Sequence, residues 1–545
     1  MNKTLQRIST ALALTFSASL SAQYVSDVWV SDQGDGTFKN PVLYADYSDP
    51  DICRVGDDFY MTSSSFNCAP GLPILHSKDL VNWKIIGYAL EEIFPVDHFK
   101  TPQHGNGVWA PSIRYHNDEF YIYWGDPDFG IYMVKTKDPA GSWEDPVLVQ
   151  SGKGLIDACP LWDDDGNAYL VHAFAGSRAS IKSVLVVNKM SADGTKLLDK
   201  GTLVFDGHEE HPTVEGPKFY KHNGYYWIFA PAGGVSTGWQ LALRSKNPLG
   251  PYEEKIVMNQ GNTSINGPHQ GGWVELESGE YWFMHFQDVD AYGRIVHLQP
   301  MQWKKGWPVI GEDKNGDGIG EPVATYKKPN VKGKHGIETP VETDEFNNGD
   351  LGLQWEWHAN PEGYHGFLFP KKGVLRFYAT ELISEEKNTL WKVPSLLLQK
   401  FPAPEFTAST KVEVNFNPKV KGERTGLVVM GEDYANIAIE STADGNFITL
   451  NTCKRARTGG VEKSVRIAKA ESNNYFFKVE VREGGNCQFY YSKNGTDYTK
   501  AGETFVAKPG RWIGAKVGLF ATTKEVINDS GYGDYDWFRI TKNKK

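Results

Sequence analysis

The sequence lacks the features that a nucleic-acid or membrane partner would require. Its 57 Lys and Arg residues are outnumbered by 67 Asp and Glu, giving a net charge of −10 with no basic block, which argues against a polyanionic partner. After the N-terminal segment no apolar run approaches the roughly 20 residues of a membrane-spanning helix. Cysteine is scarce: Cys53, Cys68, Cys159, Cys453 and Cys487 are an odd number, widely spaced and without a CxxC pair, so zinc and dithiol redox chemistry are not indicated. They read mostly as small buried residues, with one disulfide such as Cys53–Cys68 left open. The apolar run that does exist lies at the start, from Ala11 to Leu20, preceded by Lys3 and Arg7 and followed by the small residues Ser21 and Ala22. That order is expected of a cleaved secretory signal over residues 1–22 and of a periplasmic or secreted product without a membrane anchor.

What the chain has in abundance is length and flat rings. Its 545 residues allow two to four domains, and 17 Trp, 26 Tyr and 28 Phe suit β-strands and surfaces that stack on sugars. One short pattern recurs five times at a period near fifty: a small or acidic residue near Pro, an apolar strand, a tight polar turn, and an aromatic strand. It opens at Asp49-Pro50, Ala110-Pro111, Asp157, Glu215-Gly216-Pro217 and Gly267-Pro268-His269, with turns at Gly56-Asp57, Asn117-Asp118, Asp165-Gly166, Asn223-Gly224 and Ser278-Gly279. Such repeats predict a five-bladed β-propeller over residues 38–325. A basic connector bearing Pro and Gly spans 326–341, and alternating strands from Val374-Leu375-Arg376-Phe377-Tyr378 to Trp537-Phe538-Arg539-Ile540 predict a β-sandwich over 342–545.

Propeller blades surround an axis, so equivalent positions of different repeats should meet there. Aligning the repeats puts Asp49, Asp157 and Glu215 in one register, with Ala110 in the second copy and His269 two residues further along in the fifth. Each acid alone could serve a turn or a loop. Three together repel one another, a cost that a structural role would not require.

At these residues the chain resembles glycoside hydrolase family 43. The likeness rests on Tyr47-Ser48-Asp49-Pro50-Asp51, Thr62-Ser63-Ser64-Ser65-Phe66, Trp109-Ala110-Pro111-Ser112, Ile156-Asp157, Glu215-Gly216-Pro217, Gly267-Pro268-His269 and Gly293-Arg294, in that order. The resemblance implies an inverting exo-acting glycosidase in which Asp49 is the general base, Glu215 the general acid, and Asp157 the carboxylate that holds the acid and raises its pKa. It further implies that Phe66 and Trp109 wall the terminal-sugar subsite, that Arg294 binds sugar hydroxyls, and that His269, near the axis, organises water or a metal. Ala158 departs from the Pro often found in the family. The second domain resembles the concanavalin-like sandwich attached to such enzymes, through Thr343-Asp344-Glu345-Phe346 and Asp534-Tyr535-Asp536-Trp537-Phe538, which makes Asp344 and Asp536 candidate ligands of a structural calcium ion. Asp313-Lys314-Asn315-Gly316-Asp317-Gly318 copies half of an EF-hand loop, but Ala324 stands where the closing Glu belongs, so an Asp-Gly turn is expected.

The expected activity is release of terminal α-L-arabinofuranose from plant polysaccharide or oligosaccharides, without a catalytic cofactor. The alternatives are β-D-xylosidase, including a bifunctional enzyme, and a propeller that only binds carbohydrate.

Overall fold

The computed structural model describes residues 23–381, 389–525 and 528–544; the expected signal segment, residues 1–22, lies outside them. Alternating apolar and β-branched residues make strands throughout, and the four-residue Gly176–Ala179 is the single α-helix among the described residues.

Five antiparallel sheets follow one another along the chain, each built from four consecutive strands. Their first strands are Asp51–Val55, Trp109–His116, Leu155–Trp162, Lys218–His222 and His269–Glu275, and these pack around a common axis as the innermost strands of five blades. The first hairpin of each blade closes on the polar turns read in the sequence; at Asn223-Gly224 both residues have positive φ, 49° and 70°, as a two-residue hairpin demands. Large rings wedge the blades apart: Trp282 and Met284 of the fifth blade meet Ile52, Met61 and Trp83 of the first, all buried. Outside the blades, Thr37–Lys39 pairs with Thr325–Lys327 and joins the two ends of the ring.

The connector is fastened down. Lys328 Nζ lies 2.5 Å from Asp32 and 2.8 Å from Asp79, and the Glu338 N–H donates to Asn82 Oδ1 at 3.3 Å. Beyond it two seven-stranded sheets face each other across one core, with Leu397, Leu427, Ile437 and Val517 from one sheet against Phe377, Val412, Phe477 and Phe538 from the other. Tyr292 of the propeller belongs to that core: its hydroxyl donates to Pro404 O at 2.8 Å and accepts from Gly485 N at 3.1 Å. The two domains also pair backbones at Ala69 and Trp357.

All five cysteines are buried free thiols, so Cys53 and Cys68 are not joined; Cys68 Sγ instead accepts from Lys516 Nζ of the sandwich at 3.1 Å. The EF-hand-like segment is closed by its own backbone, Gly316 N and Gly318 N donating to Asp313 at 2.7 and 3.1 Å. Among the described residues no helix is long and apolar enough to cross a membrane.

Candidate active site

The entry of each innermost strand is marked by one residue in the left-handed region: Asp49 (φ 55°), Ala110 (35°), Asp157 (61°), Gly216 (58°) and Gln270 (36°). This structural register corrects the alignment of repeats. Gly216, not Glu215, is equivalent to Asp49 and Asp157, and Glu215 stands one residue earlier, alongside Ser48, Trp109, Ile156 and His269. Asp49-Pro50, Ala110-Pro111 and Gly216-Pro217 share the same step in the sequence, so the signal for the correct register was present in the prolines.

The three acids nonetheless meet. Asp49, Asp157 and Glu215 line one cavity of about 490 Å³ with Phe66, Trp109, Arg294 and Trp512. Asp49, 3% exposed, is held by Arg294 Nη1 at 3.0 and 3.1 Å from its two oxygens and by the Ser64 hydroxyl at 2.6 Å. Ser64 is itself oriented, because its oxygen accepts the Ala110 N–H at 2.7 Å. These three donors fix the orientation of the Asp49 carboxylate.

Asp157 is 2% exposed, and its Oδ2 accepts the Gly216 N–H at 2.7 Å, which ties it to the residue after Glu215. Burial, then the charges of Glu215 and Asp49, push the Asp157 carboxyl well above the usual carboxylate range, against the opposing pull of Gly216 and Lys218. Glu215 reaches further into the cavity, its side chain 31% exposed, and its Oε1 lies 3.1 Å from His269 Nε2. His269 is buried to 1% and does not line the cavity wall; it supports Glu215 from behind, and its Nδ1 has no partner.

Phe66 and Trp109 meet edge to face at 6.4 Å, and the Trp109 indole donates to Gly105 O at 2.9 Å. The residue that sequence reasoning missed is Trp512. It belongs to the sandwich, on the segment before Lys516–Thr522, yet its ring stands 6.3 Å from Trp109 and 5.9 Å from the Arg294 guanidinium. Nothing local in the sequence marks it, because its neighbours in space come from the other domain. Asp46, also missed, joins the two: Oδ1 accepts Arg294 N at 2.9 Å and Oδ2 accepts Gly514 N at 2.8 Å.

Both calcium candidates are engaged by protein donors. Asp344 accepts N–H donors from Phe346, Gly352 and the Trp355 indole, while Asp536 is paired with Lys411 at 2.8 Å.

Comparison with known proteins agrees with this architecture. The model of glycosyl hydrolases family 43 matches residues 38–308, and that of the beta-xylosidase C-terminal concanavalin A-like domain matches residues 343–541. A protein of Xylanibacter ruminicola named "Putative beta-xylosidase" is 40% identical, over 90% of this chain and 87% of its own. The non-reducing end alpha-L-arabinofuranosidase BoGH43B of Bacteroides ovatus is 31% identical, over 92% and 94%. Among solved structures, the Bacteroides ovatus xyloglucan-locus GH43B superposes with a TM-score of 0.79 at 28% identity, over 93% of this chain and all of that one.

Proposed function

The chain belongs to glycosyl hydrolases family 43, and from that premise we propose an exo-acting, inverting hydrolase that removes one terminal pentose from plant oligosaccharides, β-D-xylose foremost and α-L-arabinofuranose second. The observation that carries the reading is the cavity itself: three carboxylates and an arginine at the floor, with aromatic walls contributed by both domains. A pocket walled by Phe66, Trp109 and Trp512 suits a single sugar ring at a chain end.

Asp49 takes the proton from water as that water attacks the anomeric carbon, its orientation set by Arg294 and Ser64. Glu215 gives its proton to the departing oxygen. Asp157 stands buried behind, tied by the Gly216 N–H to the segment that carries Glu215, and Glu215 is the member that reaches the substrate. His269 orients Glu215 through their 3.1 Å contact. Water and leaving group thus sit on opposite faces of the sugar, the arrangement of single-displacement hydrolysis. This reading needs no cofactor.

From the sequence alone arabinofuranose comes first; the 40% identical relative, named for β-xyloside chemistry, favours xylose, and the 31% identical arabinofuranosidase keeps the second activity in view. A panel of aryl glycosides tests it. Release from β-D-xylopyranoside should equal or exceed that from α-L-arabinofuranoside, with little from β-D-glucopyranoside, whose extra hydroxymethyl the ring-walled pocket excludes. Faster arabinofuranoside turnover would reverse the order of the two activities, and preferred glucoside turnover would refute the pentose pocket.

A further inference from the structure

The propeller axis has a second mouth. The far ends of all five innermost strands line a separate cavity of about 910 Å³, through Arg54, Arg114, Trp162, Tyr220 and Trp273 among others. A plug divides it from the catalytic pocket. Lys218, fully buried, donates to Pro111 O at 2.7 Å and Ser112 Oγ at 2.9 Å; Asp51 accepts Arg114 Nη1 at 2.6 Å; and Cys159 Sγ accepts Phe219 N at 3.2 Å. The two cavities share no lining residue.

The lining chemistry identifies a class of ligand. Six rings contribute to it: Tyr115, 40% exposed at the rim, His116 stacked on Trp162 at 4.6 Å, Phe219, Tyr220 and Trp273. Most of the charges are spoken for. Lys221 is bound by Asp163 and Asp164, Arg114 by Asp51, and Glu275 accepts the Tyr281 hydroxyl at 3.0 Å, while Arg54 at the rim donates only to the Glu275 carbonyl at 3.2 Å. Two donors have no acceptor: the indole N–H of Trp273, which is more than nine-tenths buried, and Nε of Arg114. Flat rings at the far end of the axis, with most neighbouring charges paired, suit a neutral molecule with apolar faces and many hydroxyl oxygens.

We propose that this distal mouth is a second, non-catalytic carbohydrate site that holds a stretch of pentose oligosaccharide while the opposite mouth cleaves chain ends. The cavity's chemistry calls for a saccharide; the choice of a pentose one rests on the reading of the catalytic pocket.

The test is calorimetric titration of the full chain carrying Glu215→Gln, which blocks turnover, with xylotetraose and with arabinotetraose. Two sites per chain are expected for at least one of them. Adding Tyr115→Ala or Trp162→Ala should weaken the second site about tenfold or abolish it, leave the first unchanged, and, in chains that keep Glu215, leave aryl xyloside turnover unchanged. Thermal unfolding checks that each variant is folded; if Trp162→Ala is not, Tyr115→Ala at the exposed rim decides. A single site for both sugars, or a second site indifferent to the distal substitutions, would overturn the proposal. Failure of the catalytic reading shows separately, as absent pentose release by the unmodified chain.

Discussion

An aspartate in the left-handed region costs about 1–2 kcal/mol of backbone energy relative to an ordinary conformation, less than a branched residue would, because its short side chain bonds locally. Asp49 at φ 55° and Asp157 at φ 61° both occupy that region, and both are almost wholly buried. The rest of the blade imposes the conformation, and the carboxylates are thereby turned into the axis. Asp49→Asn and Glu215→Gln should each lower kcat by about 10² to 10⁴-fold without changing the melting temperature by more than a few degrees, since each removes one proton-transfer partner. Near-native turnover of an unactivated oligosaccharide by either variant would contradict the assignment, and NMR of the product taken immediately after cleavage should show the inverted anomer. A second acid offers a test of pH dependence away from catalysis. Burial pushes the Glu342 carboxyl up to about 8, despite its bonds to Ser26 and Tyr24. A group raised in the folded state contributes full stability below its ordinary value of 4.5 and loses it as pH rises through the folded value. Glu342→Gln should therefore gain stability over the parent steadily between pH 4.5 and about 8, by at most about 1.4 kcal/mol per pH unit, and no further above. A difference independent of pH in denaturant titrations would show that Glu342 is already ionised in the fold.

Two glycines and one carboxylate bring the segment that carries Trp512 to the cavity. A Cβ on Gly293 would stand 2.6 Å from both Asp46 Cγ and Gly514 N, and one on Gly514 would stand 2.8 Å from Gly293 N. The two backbones touch only because neither has a side chain, and Asp46 bonds both strands of the contact. Asp46→Asn presents an amide where two N–H groups need oxygens. It should reduce kcat/KM on xylobiose about 10- to 100-fold by loosening Arg294 and the Trp512 segment together, with Asp46→Glu recovering part of the loss. If Asp46→Asn kept its kcat/KM, the clamp would be irrelevant to the site. At this scale the sequence was legible to within one residue. Hairpin turns and strands of the blades followed from Gly, Asn and alternation, but Glu215 was set one step off because proximity to Pro217 was counted instead of the step from Gly216 to Pro217.

The domains pack through a shared core and a shared hydrogen-bond network. Tyr292 of the propeller fills the sandwich core, and Asn360 of the sandwich bonds Ile93 through both N–H and C=O, at 2.7 and 2.8 Å. Buried between them, Glu356 answers Lys400 and Lys516; burial opposes its charge, yet the two ammonium groups hold the carboxyl down at about 2. A chain ending near Pro329 would leave Tyr292 and the Ala69 edge exposed and would lack Trp512. It should be poorly soluble, melt lower than the full chain and have little activity on xylobiose; a soluble fragment with the parent's melting temperature and turnover would show that the propeller stands alone.

What the sequence by itself determined is everything that repeats or alternates locally: strands, Asp-Gly and Asn-Gly turns, five copies of one blade, and the acids that open three of them. Those signals survive because they depend on neighbours within a few residues. Tertiary structure alone decided the rest. Trp512 becomes a wall of the pocket and His269 a support behind Glu215, because each depends on partners that fold in from distant parts of the chain. The same holds for the raised Asp157 carboxyl, because burial and the charge of Glu215 that act on it come from residues brought in by the next blade.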